Sequence, residues 1–91
     1  MRFEWDEAKR RINLTRHRID FADVPQVFDG LTSDLFDVRY DYGEERLFTL
    51  GLLHGEVIAI GYTQTGDLIR LITARRASRN EEIKYFKEIW N

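Results

Sequence analysis

Ninety-one residues suffice for one domain with one core, so residues 1–91 read as a single domain. A hydrophobic fraction of 43% with 13% aromatics excludes a disordered chain, and no apolar run approaches the roughly 20 residues of a membrane span. The absence of cysteine excludes a disulfide framework, a thiolate zinc site and a cysteine nucleophile, and a net charge of −2 does not advertise nucleic-acid binding by the molecule as a whole.

The first six residues, Met1-Arg2-Phe3-Glu4-Trp5-Asp6, lack the apolar core of a signal peptide, so a cytoplasmic location is expected. Phe3-Glu4-Trp5 alternates as a short edge strand. Asp6 is a natural N-cap for a helix over Glu7–Arg18, with Ala8, Ile12, Thr15 and Ile19 on one stripe. Asp20 caps a second helix over Phe21–Phe28, with Ile19 and Val24 at the positions of a hydrophobic staple; Pro25 should bend it and Gly30 end it. A short strand is expected at Leu35–Tyr40. Arg46–Leu53, Glu56–Thr63 and Leu68–Ala74 then read as three strands joined by two-residue turns at His54-Gly55 and Thr65-Gly66. At Ser78 and Glu81 a Ser-x-x-Glu capping box opens a closing helix over Ser78–Trp90, with Ile83, Phe86, Ile89 and Trp90 at core spacing.

Charge is segregated along this plan. Lys9, Arg10, Arg11, Arg16, His17 and Arg18 form one basic block, Arg70, Arg75, Arg76 and Arg79 a second, and an acidic block running from Asp20 to Glu45 separates them. The two turns predict a register in which Leu53 faces Glu56, Leu47 faces Tyr62, Tyr62 faces Ile69 and Ile60 faces Leu71. One sheet face then collects Leu47, Ile58, Ile60, Tyr62, Ile69 and Leu71 as core. The other collects Phe48, Leu50, Leu52, Val57, Ala59, Gly61, Arg70 and Ile72, with Arg46 opposite Thr63. Arg46 and Arg70 should flank a shallow floor of Gly61 and Thr63, on strands roughly 10 Å apart.

Phe3-Glu4-Trp5-Asp6 with Lys9, Asn13-Leu14, His17, Phe21 with Val27-Phe28, Asp41-Tyr42-Gly43-Glu44-Glu45-Arg46, Gly51, Arg70, Ala74-Arg75 with Ala77, and then Glu81 and Tyr85, stand in an order and spacing that resembles the BrnT family of bacterial toxins. Arg16 stands where lysine usually precedes the histidine, Thr73 where serine is common, and Pro25 interrupts a helix normally free of proline. The resemblance implies an α+β domain of RelE-like fold: a short N-terminal strand, two helices, an antiparallel sheet of three or four strands and a C-terminal helix. It implies a toxin that cleaves RNA and blocks translation. It also implies a BrnA-like antitoxin carrying a ribbon-helix-helix DNA-binding portion, through which alone the pair would meet promoter DNA.

RNA is cut without metal when its 2′-hydroxyl attacks the adjacent phosphate, which needs a proton acceptor, a proton donor and cations on the phosphorane. Arg70 and Arg46 are the expected cations, unless they are solvated ions paired to Glu44, Glu45 or Asp67. His17 suits proton transfer, or simply the dipole at a helix end. Glu45 suits a base or an orienting partner, and Tyr85 a hydrogen bond to substrate or a place in the core. Arg75, Arg76 and Arg79 are expected to hold RNA phosphate, with Arg76 readable as a solvated neighbour, and Lys9, Arg10, Arg11, Arg16 and Arg18 to receive the antitoxin. No cofactor is expected, and Asp34, Asp37, Asp41, Glu44 and Glu45 do not match a calcium loop, so no metal is either. The expected function is therefore a metal-independent endoribonuclease toxin; the alternatives are a non-catalytic antitoxin-binding module of the same fold and a nucleic-acid-binding regulator.

Overall fold

The computed structural model describes residues 1–41 and 44–90, with side chains described outside 36–44. In chain order it runs β1 (Arg2–Glu4), α1 (Glu7–His17), two 3-10 segments (Phe21–Asp23 and Pro25–Asp29), β2 (Thr32–Asp41), β3 (Glu44–Leu53), β4 (Glu56–Thr65), β5 (Leu68–Arg76) and α2 (Arg79–Trp90). The sheet has five strands in the order β1-β5-β4-β3-β2. It is mixed rather than antiparallel: β1 pairs parallel to β5, Phe3 beside Ile69.

Local chemistry sets the element ends. Asp6 accepts from the Ala8 and Lys9 amides at 2.8 and 3.3 Å and starts α1. Arg18, in the left-handed region at φ 61°, ends it one residue earlier than expected. The second expected helix is instead broken into two 3-10 segments. Pro25 has no N–H, and its ring would press on the carbonyl four residues back, so the chain restarts with Pro25 in the first turn of the second segment. Phe21, Val24 and Val27 from these segments are fully buried and, with Ile19, cover one sheet face carrying Ile58, Ile60, Tyr62, Ile69 and Leu71. Phe28 packs edge-on to Tyr62 at 5.4 Å between centroids and tilted against Phe3 at 5.5 Å. Gly51 lies under this layer, where a Cβ would overlap Val27.

Across the sheet, Leu50, Val57 and Ala59 lie under Tyr85 and Ile89 of α2. Here the helix departs from its expected stripe. Tyr85 is 1% exposed and donates to the Leu31 carbonyl at 2.8 Å, whereas Ile83 and Phe86 face outward and Trp90 is 80% exposed. Lys84 fastens α2 to β2, donating to Ser33 Oγ and the Asp34 carbonyl, each at 3.0 Å.

The β3–β4 ladder has the expected register, from Leu47 beside Tyr62 to Leu53 beside Glu56, closed by His54 and Gly55 at φ 50° and 81°. The β4–β5 ladder does not. Its turn is Gly66-Asp67, so Thr65 pairs with Leu68 and Thr63 with Arg70. Gly66 at φ 59° takes the first turn position, in the left-handed region that glycine enters with no Cβ penalty. The slip is two residues, so Ile69 and Leu71 keep the core face. Tyr62 then pairs with Leu71 but Gly61 with Thr73, which makes Ile72 the extra residue of a bulge.

Candidate functional site

Because β1 pairs with β5 only as far as Arg70, the rest of that sheet edge needs other partners for its peptide groups. Helix α1 supplies them through one side chain. Asn13, 5% exposed, donates from Nδ2 to the Ala74 carbonyl at 2.9 Å while its Oδ1 accepts the Ala74 amide at 3.1 Å; Nδ2 also reaches the Ile19 carbonyl at 2.9 Å. The amide side chain thus imitates a neighbouring strand. This is why the expected apolar stripe of α1 is not what it buries: Asn13 is the helix's buried residue, and Ile12 is 56% exposed.

With α1 held there, a cleft of about 350 Å³ opens between it and the β3–β5 surface, lined by Lys9, Ile12, Asn13, Arg16, His17, Arg46, Ile72 and Thr73. The helical contributors fall at i, i+3, i+4, i+7 and i+8, one face of a helix. The sheet contributes Arg46, on the side of β3 opposite Leu47, and the bulge turns Ile72 and Thr73 together toward the opening. Among the described residues, neither Lys9 nor Arg16 makes an ion pair. Among the described residues, the lining includes no carboxylate. Such a wall attracts anions and repels divalent cations.

Of the residues expected to be catalytic, this cleft unites His17 and Arg46. Arg70 lies on the same sheet face with Thr63 between it and the β3 edge, and it faces Glu4 on β1 at 3.3 Å. The glycine floor expected beneath Arg70 is not there: a Cβ on Gly61 would stand 2.8 Å from the Thr73 methyl and 2.9 Å from the Phe48 ring, so the space is occupied. Glu45 alternates onto the opposite face from Arg46. Tyr85 is in the core under α2, where burial pushes its phenol above the ordinary value.

The arginine corner is largely engaged with the chain's own acids. Arg75 grips Glu81 with two contacts at 2.7 and 3.0 Å, and Glu81 also accepts the Ser78 amide at 2.8 Å, completing the capping box. The Arg75 guanidinium holds the Glu81 carboxyl down at about 2. Arg76 bonds Glu56 at 2.6 Å and the His17 carbonyl at 3.1 Å, pinning the end of α1; Arg79 is exposed. In the N-terminal basic block, Arg10 is taken by Asp20 at 2.7 and 3.0 Å and by Glu7 at 3.2 Å, while Arg11, Arg16 and Arg18 are exposed. Tyr42 and Gly43 of the Asp41–Arg46 motif, and the side chains of Asp37, Asp41 and Glu44, lie outside the described residues.

Sequence reading missed Lys9 and Arg16 as partners of His17, and Ile12, Asn13, Ile72 and Thr73 as cleft residues. The polar repeat at 9, 13, 16 and 17 was a usable signal; the bulge left none. A family model described as the ribonuclease toxin BrnT of a type II toxin–antitoxin system matches residues 5–81, which spans both walls of the cleft. The chain belongs to the BrnT family. A search of curated proteins found no match. BrnT proteins are ribonuclease toxins, and a type II system pairs such a toxin with a protein antitoxin. Among the described residues, no helix of this BrnT protein is long and apolar enough to cross a membrane.

Proposed function

We propose that this BrnT protein is a metal-independent endoribonuclease of RelE-like type that blocks translation in the cytoplasm, with the α1–sheet cleft as its active site. The observation that carries this reading is the convergence of Lys9, Arg16, His17 and Arg46 on one opening. Arg46 offers a planar fork to the scissile phosphate, and Lys9 and Arg16 add charge as the phosphorane forms. His17 takes the proton of the attacking 2′-hydroxyl or returns one to the departing 5′-oxygen. Arg70 serves a neighbouring phosphate from the same sheet face. The partner is a BrnA-like antitoxin with a ribbon-helix-helix portion, which alone brings the pair to promoter DNA and which shields the cleft through α1.

The test is incubation of purified protein with cellular RNA, and with a translating extract, in excess EDTA. Cleavage leaving 2′,3′-cyclic phosphate ends, lost in Arg46→Ala, is expected. No cleavage in either setting, or cleavage that vanishes in EDTA and returns with magnesium, would overturn the reading.

A further inference from the structure

The cationic lining accounts for a phosphate but not for the apolar part of the cleft. Ile12 projects from α1, more than half exposed, and Ile72 lines the same cleft from β5 as the extra residue of the bulge. An exposed isoleucine beside Lys9 and Arg16 adds nothing to anion binding. It suits a ligand with an apolar face joined to an anion, which describes one unstacked nucleotide. A base inside a duplex presents only its edge, so both isoleucines are useless to paired RNA. The cleft volume, at the lower end of ligand pockets, suits a single nucleotide rather than a helix. Thr73 adds the remaining element. Its methyl is directed at Gly61, and the residue lines the cleft beside Ile72, within reach of the sugar or base edge.

We propose that Ile12 and Ile72 form a base-binding shelf, and that the substrate is single-stranded RNA entered one splayed nucleotide at a time, with Thr73 meeting its polar edge. The proposal rests on the ribonuclease reading of the same cleft. The shelf contributes contact area without charge, whereas Lys9 and Arg16 contribute charge, so the two separate by their salt dependence.

The experiment is fluorescence anisotropy of a labelled 2′-O-methyl RNA decamer, which lacks the attacking hydroxyl, alone and annealed to its complement, across a salt series. The single strand should bind at least tenfold tighter than the duplex. Ile12→Ser, a change at an exposed position, should weaken single-strand binding roughly tenfold with the salt slope unchanged. Ile12→Phe should preserve or strengthen it, and Lys9→Ala should reduce the slope by about 0.7. Equal affinity for strand and duplex, or wild-type affinity in Ile12→Ser, would overturn the shelf. If wild type cuts RNA while Ile12→Ser binds unchanged, the shelf falls and the ribonuclease reading stands. If the binding pattern holds but no RNA is cut, the ribonuclease reading falls and the shelf stands.

Discussion

Arg46 lines the cleft with Lys9, Arg16 and His17, whereas Arg70 is not among its described lining residues. That difference ranks them. Arg46→Ala should lower kcat at least a hundredfold, about 3 kcal/mol of transition-state stabilisation, more than any accompanying change in the unfolding midpoint explains. Arg46→Lys should recover only part, because an ammonium cannot reproduce the bidentate fork. Arg70→Ala should cost less, and single-turnover cleavage of one RNA by the three variants checks the order. For His17 the discriminating measurement is the pH–rate profile: His17→Gln should lower kcat and remove one limb, where a merely structural histidine would leave the shape intact.

At the scale of elements, one side chain joins α1 to β5. Asn13→Ala should strand the Ala74 N–H and C=O and cost about 1–3 kcal/mol in urea unfolding, with a loss of cleavage larger than the stability change explains. The elements differ in how far they could be read beforehand. His54-Gly55 announces a two-residue turn, and the β3–β4 register follows from it without tertiary information. Thr65-Gly66-Asp67 allows two placements of a turn, and the bulge at Ile72 answers to the packing of Phe48 and Thr73 over Gly61, which no local pattern records. Helix α1 was legible as a helix but not in its orientation, since apolar periodicity assumes a helix buries its greasy side, and this one buries an asparagine against a sheet edge. His17 and Arg46 could be singled out by residue type and family resemblance. The pairing of Arg75 with Glu81 and of Arg76 with Glu56 was not legible, because those contacts form only in three dimensions.

For the whole molecule, carboxylates held by arginines set the response to acid. Bonding to Arg10 holds Asp20 at about 2, against an ordinary value of 3.8, and bonding to Arg75 holds Glu81 at about 2, against 4.5. Both folded values are depressed, so their contribution is complete above the ordinary range and is lost as pH falls from about 4.5 toward 2. The urea midpoint should fall across that window, and Glu81→Gln should flatten part of the slope. Charge should also govern the encounter with the antitoxin. With Lys9, Arg11 and Arg16 on the outer and cleft-facing sides of α1, association should be fast and should slow steeply with salt, while saturating antitoxin abolishes RNA cleavage. Stopped-flow association paired with a cleavage assay across one salt series measures both.

The bracket between Asn13 and Ala74 spans most of the chain, and it dates the cleft in the life of the polypeptide. A ribosome adding roughly 5–20 residues per second releases α1 seconds before β5 follows. Through that interval the helix has no β5 edge to lean on, and Lys9, Arg16 and His17 have no Ile72 or Thr73 beside them. The two walls of the cleft therefore come together only once β5 has been made.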